Sequence, residues 1–181
     1  MNTHDTMQRI ITEDSIKQEF EQTLSSRVER YLKVKQPIVV PYTEFAPASA
    51  ECALLFRDGH YYGCISLSQA VAEAITRFLC HRNGWKPNKS FEQNVGKLKA
   101  RRFISEEIYD KFIKIWENRN DYHHLNPSIK IDRQNIESLA YEKIVLLKEI
   151  EVEVFRFTIA DGAISPENTK YWVFLPKEKP E

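Results

Sequence analysis

The stretch SEEIYDKFIKIWENRNDYHHL, residues 105–125, decides the fold class because its apolar residues recur at the spacing of one helix face. At about 100° of rotation per residue, Ile108, Phe112 and Trp116 fall on the same side of a helix. Ser105 precedes two glutamates, which is typical of a helix N-terminus. A helix of this kind buries one face against other elements, so the stretch predicts a helical domain with a packed core.

The same spacing of three and four residues recurs along the chain. It is clearest at Ile16, Phe20, Leu24 and Val28, which predict an N-terminal helix over residues 13–35. The other predicted helices cover residues 67–83, 91–102 and 132–161.

Residues 38–66 have a different character and predict a β-hairpin region. The runs PIVVP, ECALLF and YYGCIS are short and rich in β-branched and aromatic residues, and Asp58-Gly59 is a typical hairpin turn. The tail, residues 169–176, predicts one more strand that pairs with this hairpin. The sequence therefore predicts a single domain over residues 1–181, in which a bundle of four to five helices, with its core in 67–161, carries a small antiparallel β appendage.

The composition excludes several classes of protein. Basic and acidic residues balance at 26 each, so there is no overall attraction to nucleic acid or membranes. The apolar runs are too short to span a bilayer, and the N-terminus lacks the apolar core of a secretory signal. The three cysteines are an odd number without CxxC spacing, which favours structural thiols in a reducing cytoplasm over a zinc site. We therefore expect a cytoplasmic protein without a metal or another cofactor.

Arg119 is the unusual residue of the opening stretch, because it falls in the same helical arc as Trp116. An unpaired arginine is costly to bury, and three arrangements avoid that cost. The guanidinium can pair with a carboxylate such as Glu117 or Asp121, it can face a subunit interface, or it can line a cleft that takes an anionic ligand. The sequence leaves the three arrangements open.

Two histidines follow this arginine. In a regular helix His123 lies close to Arg119, whereas His124 lies on a neighbouring face, four residues after Asn120. Pro127 disfavours helical geometry just before it, so the last turn need not be regular. Either histidine can therefore join the arginine. An arginine suits phosphate through its two-pronged hydrogen bonding, and a histidine adds a proton that moves near neutral pH.

The segment RNDYHH, residues 119–124, resembles the R-x(4–6)-H signature of the HEPN superfamily, a group of small helical-bundle proteins. Arg119 and His124 match the motif with four residues between them, and Asn120 matches the polar residue favoured after the arginine. The resemblance implies a homodimer in which two copies of the motif meet across an interface cleft. It also implies a metal-independent endoribonuclease in a toxin or defence system, with RNA as substrate and a cognate antitoxin protein as a possible partner.

In the scheme that the resemblance implies, Arg119 holds the scissile phosphate and Asn120 orients the phosphate or the histidine. His124 transfers protons, with His123 as the substitute. The competing hypothesis is a non-catalytic HEPN-like module that binds RNA, a nucleotide or a protein. In the plainest interpretation the histidines merely interact with the carbonyls at a helix end.

A basic run ends the predicted helix over residues 91–102, and Lys86 and Lys89 precede it. Its four side chains can follow an RNA backbone, although such a run is more often a solvated helix face. The candidate RNA-binding residues are Lys97, Lys99, Arg101 and Arg102.

Overall fold

The computed structural model describes residues 3–35, 38–40, 45–123, 126 and 132–172. The described chain is mainly α-helical, with one two-stranded antiparallel sheet, which confirms the predicted fold class. The helices are α1 (Thr3–Val34), α2 (Ala46–Arg57), α3 (Tyr61–Arg82), α4 (Phe91–Ala100), α5 (Glu106–Trp116), α6 (Arg119–His123) and α7 (Arg133–Phe155), and the strands are β1 (Phe157–Ala160) and β2 (Ala163–Pro166).

Helix α3 is the centre of the bundle, because α2, α4, α5, α6 and α7 all pack against it. The buried apolar side chains form one cluster that extends from Val34 to Tyr171. Its largest members include Phe56, Phe91 and Phe112, each at most 1% exposed. Burying a side chain of this size contributes roughly 1.5–3 kcal/mol, so these aromatic residues account for much of the packing energy.

The predicted β-hairpin region at 38–66 is wrong. ECALLF lies in α2 and YYGCIS begins α3, while residues 38–40 form no strand. In α2 the buried residues are Ser49, Cys52, Ala53 and Phe56, which is helical spacing. Short apolar runs do not distinguish a strand from a buried helix segment, and the buried serine hides the helical period from an apolar count. The ends of PIVVP, at Pro37 and Pro41, lie outside the described residues.

The two Asp-Gly dipeptides connect other elements than those predicted. The sequence predicts a hairpin turn at Asp58-Gly59 and the end of the last helix at residue 161. Asp58 caps the C-terminus of α2, and Gly59, with a φ of +79°, lies in the connection between α2 and α3. The hairpin turn is instead Asp161-Gly162, where φ values of +52° and +75° connect β1 to β2. Positive φ at both central residues matches the right-handed twist of a two-residue hairpin. The last helix consequently ends at Phe155 rather than at residue 161.

The predicted strand at 169–176 is also wrong where the structure describes it. Thr169–Tyr171 is a 3-10 turn, and residues 173–176 lie outside the described part of the chain. Tyr171 is buried, and Trp172 Nε1 donates a hydrogen bond to the carbonyl of Val154 at 3.0 Å. The Tyr171 hydroxyl also donates to Glu153 at 3.5 Å, so packing and two hydrogen bonds hold the aromatic tail to the end of α7. Among the described helices, none is both long and apolar enough to cross a membrane.

Candidate functional site

The predicted continuous helix over 105–125 is interrupted just before the RNDYHH motif. Helix α5 ends at Trp116, Glu117 is extended, and Asn118 has a φ of +60° before α6 begins at Arg119. Asparagine is one of the few residues that enters the left-handed region readily, because its short polar side chain bonds locally. The helical wheel that relates Trp116 to the motif therefore ends at this junction, and α6 takes its own direction.

Two buried polar side chains fix the junction. Lys143 of α7 donates hydrogen bonds to the carbonyls of Lys114 and Glu117, the latter at 3.1 Å. Gln69 of α3 donates to the carbonyls of Ile115 at 3.0 Å and Glu117 at 3.4 Å. These carbonyls belong to the C-terminal end of α5, where no intrahelical donor remains. Burial lowers the pKa of the Lys143 ammonium below its usual value. The bundle interior thus determines where α6 starts.

Arg119 lines a cleft of about 590 Å³ between α3, the N-terminus of α4 and the α5–α6 junction. Its guanidinium carbon lies 4.8 Å from the ring centre of Trp116, which in turn stacks on Phe91 with ring centres 4.1 Å apart. The Nε of Arg119 is buried and has no hydrogen-bond partner among the described residues. The other polar lining residues include Glu73, Lys89, Ser90, Glu92, Asn120 and Asp121.

The cleft has mixed charge. Glu92 accepts hydrogen bonds from Trp116 Nε1 at 2.7 Å and from the Ser90 hydroxyl at 2.6 Å. The hydrogen bond from Ser90, with a smaller contribution from the charge of Arg119, holds the pKa of Glu92 below its usual value. No carboxylate in the described part of the chain forms an ion pair with Arg119. Ionised Glu92 therefore balances part of the arginine charge from a distance.

The N-terminus of α4 opens into the same cleft. Ser90 caps this helix by accepting a hydrogen bond from the Gln93 amide at 3.3 Å, and Lys89 precedes the cap. A helix N-terminus carries partial positive charge, to which a neighbouring lysine adds. Lys89 is one of the two lysines that precede the basic run in the sequence, and it lines the cleft. The sequence did not lead to Glu92, whose available signal was an acidic residue two positions after a serine cap.

The predicted site residues form three groups: the pair Arg119 and Asn120, the two histidines, and the four residues of the basic run. Arg119 and Asn120 both line the cleft, so the structure brings these two together. The backbone of His123 ends α6, whereas its side chain and all of His124 lie outside the described residues. The choice between the two histidines therefore stays a prediction.

The four residues of the basic run are not among the cleft-lining residues. Lys99 forms an ion pair with Glu106, and Arg101 lies over the Trp85 ring at 4.4 Å. Lys97 also approaches Trp85, at 5.8 Å, while Arg102 is exposed at the end of α4. These cations consequently contact neighbouring side chains at the other end of α4 from the cleft.

The cysteines lie apart from the cleft. Cys52, Cys64 and Cys80 are free and buried in α2 and α3, and burial raises the pKa of all three thiols. Within the described ranges, no group of three or more His, Cys, Asp or Glu side chains is arranged to hold a metal ion. Comparison of the chain with protein-family models, curated proteins and solved structures finds no match. The cleft has to be interpreted from its own chemistry.

Proposed function

We propose that the cleft binds the phosphodiester backbone of RNA and that the chain is a HEPN-like, metal-independent endoribonuclease. The observation that carries the proposal is Arg119, whose Nε is buried without a hydrogen-bond partner in the described residues while the side chain lines an open cleft. An unsatisfied buried donor costs roughly 1–3 kcal/mol, more for a charged group. A phosphate in the cleft offers acceptors to the guanidinium, and the planar fork of arginine matches phosphate geometry.

The surroundings of Arg119 support a positioning role. The stack of Phe91, Trp116 and the guanidinium restricts the plane in which the arginine donates hydrogen bonds. Lys89 and the N-terminus of α4 contribute positive potential from the opposite wall. A phosphodiester held between these walls lies beside Asn120, which offers a neutral amide for orientation. Preorganised donors of this kind favour charge that develops on phosphate oxygens.

The proposed chemistry uses the RNA as its own nucleophile. The 2′-hydroxyl oxygen attacks phosphorus while its proton passes to a base, and the 5′-oxygen leaves with a proton from an acid. His124, or His123 in its place, supplies the proton transfers, because imidazole titrates near neutral pH. Arg119 stabilises the charge on the phosphoryl oxygens. No step in this scheme requires a metal ion.

The same proposal extends to the biological setting. From the motif resemblance we infer a homodimer with a composite active site, and a cytoplasmic toxin or defence component held in check by a cognate antitoxin. The three free, buried thiols suit a reducing compartment. An antitoxin that covers Arg119 and Asn120 would block RNA without any change in the fold.

A non-catalytic binding module is the second candidate. Glu73, Glu92 and Asp121 share the cleft with Arg119 and Lys89, so carboxylates outnumber cations. A lining with charges of both signs favours a zwitterionic or protein ligand over a long polyanion. This candidate predicts that ligand binding needs Arg119 and tolerates the loss of both histidines.

The test is cleavage of a mixed-sequence RNA in excess EDTA. We expect the wild type to cleave, Arg119→Ala to lose at least about a hundredfold in rate, and one of His123→Ala and His124→Ala to lose a similar factor. Arg156→Ala is the matched control, since it removes the same charge from a surface ion pair with Glu167. Binding of RNA without cleavage, unchanged in both histidine variants, would favour the binding module instead.

A further inference from the structure

Helix α1 packs on the bundle in an inverted orientation, with its polar face inward. Arg27 Nε donates to Asp58 at 2.9 Å, and Arg30 Nε donates to the carbonyl of Arg57 at 2.8 Å. Within the described part of α1, the only buried side chain is Val34, at the helix end. The helix is therefore attached to α2 mainly by charged hydrogen bonds. A surface helix of a globular protein ordinarily turns its apolar stripe to the core.

The apolar face of α1 is left exposed. Phe20, Leu24, Val28 and Leu32 follow one another at intervals of four residues, and their exposed fractions are 49%, 44%, 49% and 68%. With Leu54 of α2 they line a groove of about 540 Å³. A row of large apolar side chains of this length is unusual on a monomer and typically marks an interaction surface.

The first half of α1 extends beyond the bundle. Every residue from 7 to 22 is exposed, including Met7, Ile10, Ile11 and Ile16. Most helix stability in proteins comes from packing an apolar face, and this half packs none within the described chain. Covering its exposed aliphatic side chains with a partner would stabilise it.

The apolar positions next to Phe20 are balanced about it. Ile16 and Leu24 lie four residues to either side, each about 40° from Phe20 around the helix, and both line the groove with it. Met7 and Ile11 lie about 140° and 180° from Phe20, so they belong to a different face of the protruding half. A two-fold axis at Phe20 in an antiparallel pair brings Ile16 of each copy opposite Leu24 of the other.

The charges of α1 are opposite in its two halves. Residues 3–19 contain four acidic and two basic residues, whereas residues 21–35 contain two acidic and four basic residues. The halves therefore carry formal net charges of −2 and +2, with His4 counted as neutral. Since Arg27 is already paired with Asp58, three basic residues against two acidic ones leave the second half about +1 for a partner. Antiparallel pairing places each half beside the opposite charge of its partner. A parallel pair would place like charges together, and an anionic lipid surface would repel the exposed acidic half.

We propose that α1 is a self-association element, which pairs in antiparallel fashion with α1 of a second copy of this chain around Phe20. The helix is about 48 Å long at 1.5 Å per residue, so the pair offers a continuous seam in which each protruding half covers the groove of its partner. Since α1 packs mainly on α2, this seam is separate from the cleft of Arg119. The proposal does not depend on the ribonuclease activity.

The first test is the mass of the full chain in solution by light scattering and sedimentation. We expect Phe20→Gln/Leu24→Gln to halve the mass of the wild-type assembly, from two chains to one when α1 alone joins the copies, and from four chains to two when the copies also pair across the cleft of Arg119. Glutamine keeps a good helix propensity, so the exposed apolar surface is the property that changes. The matched control is Ile159→Gln/Ile164→Gln, which removes two exposed aliphatic side chains from the hairpin, 70% and 55% exposed, and should leave the dimer intact.

The second test exchanges the charges of the two halves. Asp5→Lys/Asp14→Lys makes both halves positive, and Lys33→Glu/Lys35→Glu makes both negative, so each variant should dimerise about tenfold or more weakly. The chain that carries all four substitutions restores opposite halves and should dimerise as the wild type does. A mixture of the two paired variants should form the heterodimer.

A monomeric wild type at all concentrations from micromolar to near-millimolar would overturn the proposal, and would leave the exposed face to a different partner. A wild-type mass that Phe20→Gln/Leu24→Gln leaves unchanged would overturn it as well. Unchanged dimerisation in all charge variants would contradict the antiparallel arrangement, since a parallel pair keeps like halves together throughout.

Discussion

The α5–α6 junction and helix α1 depart from the usual distribution of polar and apolar residues in opposite directions. At the junction, charged and polar side chains are buried: Lys143 and Gln69 are at most 1% exposed and bind the carbonyls that end α5. On α1, aromatic and aliphatic side chains such as Phe20 are half-exposed, while Arg27 faces the bundle. The buried polar side chains fix the position at which α5 ends and α6 begins. The exposed apolar side chains of α1 leave a hydrophobic surface open to a partner.

Each region leaves some of its side-chain groups without a partner in the described chain. Of the buried polar side chains at the junction, Lys143 is satisfied within the chain, whereas Gln69 Oε1 and Arg119 Nε are left without a partner in the described residues. The apolar groups of α1 find no cover within the described chain. Both regions therefore point to something outside the chain, an anionic ligand in one case and a second copy in the other.

Removing the buried clamp should have the largest effect on stability. Lys143→Met keeps the aliphatic stem but leaves the carbonyl of Lys114 without its donor, and the carbonyl of Glu117 with only the 3.4 Å bond from Gln69. We expect the free energy of unfolding to fall by about 1–3 kcal/mol, which is the cost of an unsatisfied hydrogen-bonding group of this kind. Chemical denaturation measures this loss. Lys114→Met, which removes an exposed lysine from the same helix, is the control and should change little.

The backbone at Asn118 tests the junction more gently. Its φ of +60° is unfavourable for an alanine, so Asn118→Ala should destabilise the chain by about 1 kcal/mol. Asn118→Gly should be neutral or slightly stabilising, because glycine enters this region freely. A similar loss of stability in both variants would mean that the Asn118 side chain, and not its backbone conformation, holds the junction.

The sign of the charge that the cleft prefers can be read from Glu92. Glu92→Gln keeps an acceptor for Trp116 Nε1 but removes the carboxylate that balances Arg119. If the ligand is an RNA phosphate, its affinity should rise about two- to fivefold, which is the size expected of a partly solvated charge interaction. A fall in RNA affinity would contradict an anion site. Fluorescence anisotropy with labelled RNA makes the comparison.

The attachment of α1 should be sensitive to acid. A hydrogen bond from Arg57, followed by the charges of Arg57 and Arg27, holds the pKa of Asp58 below its usual 3.8. A lowered carboxyl pKa contributes stability that is fully present above pH 3.8 and is lost as the pH falls through the folded value. Asp58→Asn should therefore lower the free energy of unfolding by about 0.5 kcal/mol at pH 6, and this difference should vanish at strongly acid pH. A difference that persists in acid would point to packing instead of charge.

The two regions also differ in how far the sequence predicts them. The period of α5 follows directly from Ile108, Phe112 and Ile115, and Ser105 caps it as expected, since its hydroxyl accepts a bond from the Ile108 amide at 3.2 Å. The break at Asn118 was not predictable from the same pattern. It depends on Lys143 and Gln69, which come from α7 and α3, and a local spacing contains no information about such distant donors.

The two Asp-Gly dipeptides show the same limit. Both have strong turn chemistry, yet Asp58-Gly59 joins two helices and Asp161-Gly162 joins two strands. Turn residues specify a local backbone reversal, whereas the flanking periods decide which elements it connects. Around Gly59 those periods were hidden by buried polar residues such as Ser49 and Ser68. Arg119 and Asn120 could be located from the motif alone, but Lys89 and Glu92 become neighbours of them only through the packing of α4.

The proposed function depends most directly on whether Arg119 binds an anionic ligand in its cleft. The decisive measurement is the dissociation constant of a single-stranded RNA that cannot be cleaved, with its 2′-oxygens methylated, at one fixed salt concentration. We predict that Arg119→Ala weakens binding about tenfold or more, while Arg156→Ala, of equal charge loss, leaves it unchanged. Equal dissociation constants for the wild type and Arg119→Ala would contradict the proposal that the cleft binds RNA phosphate through Arg119.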